Sequence, residues 1–346
     1  MRVGKSLSFS LSLLSFAAFL IFLFLASPPQ VWSAAGDELV EGARKEGKLV
    51  IYHSPNVAGY QVLIKTFREK YPFLTVESFR YPENKLLLRV LAEERAKKGI
   101  ADLIDTRGFG INIMKEKGLL MKYSSPNFKF IPREFIDPEG FYWANCYAVQ
   151  SFAYNTRLIS SQDVPKSYDD LFHPRWMGNL YLDERDYEWY ANMLTIMGRE
   201  KGLELMKKLS RQKVRFRTGK FLTSTLMAAG ELPVMLTASG HIIEQLKEQG
   251  APVQWVPVDP IMGAVGAMGI TASSTHKNAA KLFINFLSSK EGQELLAHSY
   301  GKNPTRRDAK HRYPNLDLKE HKLFLSSITV DFTKFEKEFR AMFMLQ

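Results

Sequence analysis

Polar side chains follow two predicted strands in the first half of the chain, directly where each strand ends. His53, Ser54 and Asn56 come after a short apolar strand, and Arg107 comes after the third strand. Ligands of open α/β sheets bind outside the carboxyl ends of the strands. Ser54 and Asn56 can hydrogen-bond a small polar ligand, and His53 is a candidate metal ligand. The alternatives are that Ser54 or Asn56 caps the following helix and that His53 is a structural residue.

Arg107 indicates a different chemistry from the first three residues. A guanidinium cannot ligate a cation, but it pairs well with a carboxylate or a phosphonate. The alternative interpretation is an exposed arginine in a loop. Arg107 therefore favours an anionic ligand if it faces the site.

The second half of the chain offers a matching set of candidates. Asp183, Tyr187 and Trp189 lie where a predicted strand leads into a helix, and helix N-termini favour anions. Ser239 and His241 follow the next apolar strand, 234–236. Only one face of a helix can line a pocket, so core packing is the alternative for one of the aromatic residues.

Strands and helices alternate along the chain, and this pattern must position these residues. Apolar runs predict strands at 49–52, 75–79, 101–105, 148–155, 180–182, 234–236, 253–258 and 266–272. Helical periodicity predicts helices at 37–46, 59–71, 85–98, 111–117, 188–198, 201–212, 223–230, 279–287 and 291–299. Alternation of this kind predicts parallel, doubly wound α/β sheets.

Composition limits the class of protein. The 346 residues are 45% hydrophobic and 24% charged, which excludes a disordered, collagen-like or disulfide-framework chain and suggests two domains. The net charge of +11 comes from basic residues that are mixed with acids along the chain, so we expect no nucleic-acid partner.

The N-terminus predicts export. Arg2 and Lys5 precede an apolar run at 7–26, and small residues follow a proline pair, which is typical of a cleavable signal at 1–33. Cleavage after Ser33 fits best, Ala35 is the second choice, and an uncleaved anchor is the alternative. The mature chain is then expected to be exported. Its single cysteine, Cys146, excludes an intramolecular disulfide, and we expect it to be a buried, small apolar side chain.

Several segments resemble the family 1 extracellular solute-binding proteins, the periplasmic components of ABC importers, and within them the ferric-iron and thiamine-type binders. The matching segments run in the family's order over about 40–310 and include ARKEGKLVIY at 43–52, FREKYP at 67–72, ADL at 101–103, YNT at 154–156, PKSYDDL at 165–171, PRWMG at 174–178, KNAAKLFINFL at 277–287 and EGQ at 291–293.

This resemblance implies a two-lobed periplasmic-binding-protein fold of type II, in which a hinge joins two doubly wound sheets. Lobe 1 would comprise 34–148 and 262–310, and lobe 2 would comprise 149–261 and 311–346. The chain would act as a monomer, bind a small molecule or a metal between its lobes, and deliver it to an inner-membrane ABC permease. No cofactor and no catalytic residue are expected.

The residues depart from the ferric-iron pattern. Arg107 stands where that branch carries a carboxylate, and Asn56 stands at its histidine position. Where that branch has a tyrosine pair, this sequence has Ser239, Gly240 and His241. The resemblance implies iron transport. Ferric iron prefers anionic oxygen ligands, however, and the residues at these positions do not supply them.

Three ligand classes therefore stay open. Ferric iron follows from the resemblance, with a co-bound anion or tyrosines elsewhere, such as Tyr147 or Tyr187, to complete the site. A small organic anion follows from Arg107 and the positive charge. A cationic solute such as thiamine or a polyamine would use Asp183, Glu188 and Trp189. The competing functional class is an exported enzyme on the same scaffold. Against it, the chain has no G-x-S-x-G, H-E-x-x-H or P-loop motif, and its S-x-x-K at 274–277 lacks companion motifs.

Overall fold

The structure is a computed structural model that describes residues 34–318, 320–326 and 332–344. The predicted export signal at 1–33 lies outside these residues. Among the helices of the described part, none combines the length and the apolar character needed to cross a bilayer. The architecture below is that of the compact unit that begins at Leu39.

Strands and helices alternate through most of the described chain, as the sequence predicts. The strands are β1 Lys48–His53, β2 Thr75–Arg80, β3 Leu103–Arg107, β4 Leu120–Met121, β5 Tyr142–Asn155, β6 Leu180–Asp183, β7 Arg215–Arg217, β8 Val234–Ser239, β9 Val253–Val256, β10 Ile261–Thr271, β11 Asn303–Pro304 and β12 Leu323–Leu325. The helices are α1 Ala34–Glu46, α2 Val57–Lys70, α3 Glu83–Arg95, α4 Gly108–Glu116, α5 Tyr187–Ile196, α6 Arg199–Arg211, α7 Lys220–Ala229, α8 Gly240–Glu248, α9 Lys277–Ser288, α10 Lys290–Tyr300 and α11 Thr333–Phe343.

The strands form one curled sheet with the order β2-β1-β3-β10-β5-β8-β6-β7. At one end β1 pairs in parallel with β2 and β3, and at the other end β6 pairs in parallel with β7 and β8. Between these parallel groups, β10 runs antiparallel to β3 and β5, and β5 runs antiparallel to β8. The predicted parallel α/β units are thus present and are joined through antiparallel strands.

Each end of the sheet has its own apolar core, and the long strands reach both. On β5, Trp143 is buried in the core that α2, α9 and α10 cover, whereas Phe152 is buried in the core that α5 and α6 cover. On β10, Met268 is buried in the first of these cores and Met262 in the second. The protein therefore has two lobes, here called lobe 1 (around β1–β3) and lobe 2 (around β6–β8), connected by β5 and β10.

The prediction from the sequence differs from the structure at some elements. Strand β5 begins at Tyr142, whereas the prediction begins at 148, and helix α8 was not predicted. The first half of β5 is almost fully buried, but Asn145 interrupts its apolar residues, so the continuous apolar run that marks the other strands is absent there. Cys146 lies in this half and is 4% exposed, which confirms that it is buried.

Candidate functional site in the interlobe cleft

A cavity of about 590 Å³ is lined by residues of both lobes. Its lining includes the carboxyl ends of β3, β6 and β8 and the residue that follows β1, together with the middle of β5 and β10. Because these four strands point towards the cleft, the loops after them meet there, as expected for open α/β sheets. We call this cavity the interlobe cleft.

Seven of the nine predicted site residues line the interlobe cleft. They are Ser54, Arg107, Asp183, Tyr187, Trp189, Ser239 and His241. Burial with the neighbouring Lys302 charge lowers the pKa of His241 to about 3, so this imidazole is neutral at neutral pH. Trp189 is only 3% exposed, which means that it also packs in the core of lobe 2.

The structure does not bring His53 and Asn56 to the cleft lining. His53 is 1% exposed and stacks on Tyr60 with ring centroids 3.8 Å apart, and burial lowers its pKa to about 4. Asn56 is the N-cap of α2, where its Oδ1 accepts a hydrogen bond of 2.8 Å from the Gly59 amide. Both residues have the structural roles that the sequence left open as alternatives.

Arg107 crosses the cleft. Its Nη1 lies 2.9 Å from Oε2 of Glu188 in lobe 2, and its Nε lies 3.8 Å from Oε2 of Glu83 in lobe 1. The charges of Glu188 and Glu83 raise the pKa of Arg107 further above its usual range, so it is a permanent cation. Glu188 also accepts a hydrogen bond from the Ser326 hydroxyl.

The aspartates on the lobe 2 wall are saturated by lobe 2 itself. Asp183 accepts from the amides of Gly219 at 2.9 Å and Arg185 at 3.0 Å, and it also pairs with the Arg185 guanidinium. Asp186 accepts from Lys220 Nζ at 2.6 Å and from the Asp183 amide at 2.9 Å. These carboxylates hold the loop and the start of α7 in place, so they have little capacity left for a cationic ligand.

Five helices begin at the cleft. The first residues of α3, α4, α5, α7 and α8 contribute to its lining. The residues that precede these helices make no side-chain capping hydrogen bond: Pro82, Arg107, Asp186, Gly219 and Ser239. Helix N-termini carry partial positive charge and unpaired amides, and such ends bind anions.

The lobe 1 side of the cleft holds a group of polar residues that we call the floor cluster: Asp105, Asn145, Tyr300 and Lys302. All four line the cavity. Burial raises the pKa of Asp105 to about 6, although Asn145 and Lys302 favour the ionised form. Among the described residues, Lys302 has no ion-pair partner within 4 Å, so it presents an unneutralised ammonium to the cleft.

Sequence reasoning missed the floor cluster and Lys220. Asp105 stands at the end of a predicted strand. The rule that ligands bind at the carboxyl ends of strands, which selected Arg107, also applies to Asp105. Asn145 belongs to the unpredicted half of β5, and Lys302 follows α10, more than 150 residues further along the chain. Only the tertiary crossing of β5 and α10 brings these residues together, so no local signal marks them.

The described part of the chain contains no group of three or more His, Cys, Asp or Glu side chains that could hold a metal ion. Ser239 and Gly240 occupy the end of β8 and the start of α8, where the resemblance implies a tyrosine pair. A hard-cation site built on those positions has no anionic oxygen ligands there.

The chain is similar to known solute-binding proteins. Residues 99–325 match the family model described as bacterial extracellular solute-binding protein. An uncharacterized protein of Haemophilus influenzae is 26% identical over 276 residues, which are 76% of this chain and 79% of the relative.

Two solved structures show the fold of the two lobes. The periplasmic binding protein AfuA from Actinobacillus pleuropneumoniae, with exogenous fructose-6-phosphate bound, is 26% identical, covers 86% of this chain and 97% of its own, and superposes with a TM-score of 0.67. Iron-bound HitA from Pseudomonas aeruginosa is 19% identical, covers 85% of this chain and 99% of its own, and has a TM-score of 0.73. The two-lobed periplasmic-binding-protein fold is confirmed, and the chain belongs to the family of bacterial extracellular solute-binding proteins.

Proposed function

We propose that the protein captures a small organic anion in the interlobe cleft and delivers it to an inner-membrane ABC permease. One observation carries this proposal: the cleft joins the unneutralised ammonium of Lys302 to the uncapped N-termini of five helices. An anion bound there would receive backbone amides and a positive charge together, and Lys302 has no ion-pair partner among the described residues that it would have to leave.

The other ligand classes have less support in the cleft. A cationic solute would need carboxylates, but Asp183 is saturated by Gly219 and Arg185, and Glu188 is paired with Arg107. Ferric iron would need anionic oxygens at the end of β8, where Ser239 and Gly240 stand. We therefore place an organic anion ahead of iron and of thiamine-like or polyamine-like cations.

A relative supplies the first ligand to test. AfuA carries fructose-6-phosphate, and a phosphate ester suits helix N-termini because its oxygens accept several amide hydrogen bonds at once. A phosphate ester also matches the cationic Arg107 and Lys302. We propose phosphorylated organic compounds as the leading members of the anion class.

We also propose the remaining features of the protein's role. Lobe 1 comprises 34–148 and 262–310, and lobe 2 comprises 149–261 and 311–346; the contacts of α11 with α5 and α6 support this assignment. The mature protein acts in the periplasm after removal of 1–33, as a monomer, without nucleic acid, cofactor or covalent chemistry. Closure of the lobes over the ligand then requires tighter binding to the closed form than to the open form.

Titration calorimetry with fructose 6-phosphate, ferric citrate, thiamine and spermidine tests the proposal. We expect saturable binding of the phosphate ester alone, with a change in Trp189 fluorescence that is absent in Trp189→Phe. The ester should be recovered unchanged by phosphorus NMR. Binding of ferric iron or of a cation in place of the ester, or turnover of the ester, would contradict the proposed function.

A further inference from the structure

We infer that the floor cluster is a hydroxyl-binding subsite, so that the ligand is a polyhydroxylated organic anion. This inference rests on the proposed function and deepens it, because it assigns the uncharged end of the ligand to lobe 1. Asp105 is its central residue, with Asn145, Tyr300 and Lys302 around it.

Several polar atoms of the cluster are buried without a partner in the described structure. Asp105 and Asn145 are each 2% exposed, Tyr300 is 3% exposed, and the Oδ1 atoms of the first two and the hydroxyl of the third make no hydrogen bond. Buried polar groups almost always have partners, so a concentrated set of unpaired groups on a cavity wall indicates a ligand that pairs with them.

A second buried aspartate three residues away is fully paired, so burial of an aspartate in this lobe does not by itself leave an oxygen unpaired. Asp102 is 1% exposed, and it accepts hydrogen bonds from the Val50 amide at 2.8 Å and from the Ser274 hydroxyl at 2.8 Å, with His276 also in contact. Asp102 does not line the cleft, whereas Asp105 does. The fold therefore pairs the Asp102 carboxylate fully, whereas Oδ1 of Asp105, on the cavity wall, has no partner.

The cluster offers both kinds of hydrogen-bonding group. Asp105 and the Asn145 Oδ1 accept hydrogen bonds, and the Tyr300 hydroxyl and the Lys302 ammonium donate them. A hydroxyl group donates and accepts, so neighbouring hydroxyls match this pattern. A phosphate or carboxylate only accepts and would be repelled by an ionised Asp105, which places the anionic group towards the helix N-termini. The Lys302 ammonium has three donors, so it can serve the anionic group and a neighbouring hydroxyl together.

The protonation of Asp105 is set by neighbours from every side. His53 on β1 is neutral, Tyr60 on α2 and Tyr300 on α10 are neutral phenols, Cys146 on β5 is a thiol, and Lys302 is the cation. Burial raises the pKa of Asp105, and the hydrogen bond from Asn145, the charge of Lys302 and the hydrogen bond from Tyr60 oppose this rise. Above pH 6 the carboxylate can accept hydrogen bonds from ligand hydroxyls, so we expect hydroxylated ligands to bind more weakly at pH 5 than at pH 7.5.

The test compares two phosphate monoesters that differ in hydroxyl groups, fructose 6-phosphate and n-hexyl phosphate. Titrations use the wild-type protein, Asp105→Asn, Tyr300→Phe and the control Asp163→Asn, whose exposed carboxylate lies outside the cleft. Because the Tyr300 hydroxyl has no protein partner, Tyr300→Phe should fold normally even if Asp105→Asn does not.

We expect the wild type to prefer the sugar phosphate, and Asp105→Asn and Tyr300→Phe to weaken its binding about tenfold while the alkyl phosphate stays within about twofold. Asp163→Asn should match the wild type. Equal wild-type affinity for both esters, or equal weakening of both in the two cleft variants, would overturn the subsite alone. If neither ester binds the wild type, the proposed function fails and the subsite with it.

Discussion

Arg107 of lobe 1 and Glu188 of lobe 2 form an ion pair across the interlobe cleft, with Nη1 and Oε2 2.9 Å apart. The two side chains are 42% and 21% exposed, so water screens the pair and its contribution to closure is modest. Both residues line the cavity, which means that an anionic ligand that reaches Arg107 competes with Glu188.

This competition gives the first prediction. Glu188→Gln removes the competing charge, and we expect the affinity for a phosphate ester to rise about threefold to tenfold, as for a screened ion pair of about 1 kcal/mol. Arg107→Ala should lower it. Titration calorimetry measures both, with Glu204→Gln, which removes an exposed carboxylate of α6 paired to Lys208, as the control. Affinities within twofold of wild type for both cleft variants would remove Arg107 from the site.

Lys302 should contribute more than Arg107 because it has no ion-pair partner among the described residues. We expect Lys302→Met to weaken phosphate-ester binding about tenfold or more and to flatten its dependence on salt concentration. The control is Lys247→Met, which removes a lysine of α8 that lies outside the cleft lining and contacts Gln254. An unchanged affinity in Lys302→Met would contradict the observation on which the proposed function depends.

The buried carboxyl group of Asp105 should make the free energy of unfolding depend on pH. Burial raises its pKa to about 6 in the folded protein from an ordinary value near 4, so the folded state holds the proton more tightly than the unfolded chain. The free energy of unfolding therefore falls as the pH rises from about 4 to about 6, and it stays lower above that range. An asparagine side chain does not ionise, so Asp105→Asn should not lose stability over this pH range.

Thermal unfolding without ligand should accordingly show Asp105→Asn to be more stable than wild type at pH 7.5, by on the order of 2 kcal/mol, and nearly equal to it at pH 4. The same variant is expected to bind hydroxylated ligands more weakly, so stability and function oppose each other at this residue. A variant that is less stable than wild type at pH 7.5 would show that the carboxylate is structural.

Asn56 should affect stability and not binding. Its side chain caps α2 through the Gly59 amide, so Asn56→Ala is expected to destabilise the protein by about 1 kcal/mol, and Asn56→Ser to retain most of the stability. Ligand affinity should stay within about twofold in both variants, as measured by chemical denaturation and calorimetry. A tenfold loss of affinity in Asn56→Ser would return Asn56 to the site.

Local sequence patterns predicted the strand and helix ends around the interlobe cleft better than they predicted the floor cluster. The strand that ends at His53 and the helix that begins at Val57 follow from apolar runs and a capping residue, and the same signals place Arg107 and Ser239 at strand ends. At the recognised ends of β3, β6 and β8 the rule for open sheets found cavity residues, because parallel strands bring their ends together. After β1 the same rule found Ser54 but also selected His53 and Asn56, which lie outside the lining.

The positions of the floor-cluster residues depend on tertiary structure that no local sequence pattern encodes. Asn145 and Lys302 meet only because β5 crosses both lobes and α10 ends beside it. The sequence also left open whether Asp183 could bind a cation, because hydrogen bonds from Gly219 and Arg185 saturate it only in the fold. The same distinction separates His53, which stacks on Tyr60, from a metal ligand.

The central claim is that the cleft holds a small organic anion, and native mass spectrometry of the protein purified from the periplasm without unfolding tests it most directly. Metal content is read from the same sample. We predict a stoichiometric, non-covalent organic ligand that is released on denaturation, ionises as an anion and carries hydroxyl groups, with iron far below one equivalent. Stoichiometric iron without an organic anion, or a bound organic cation, would contradict the account.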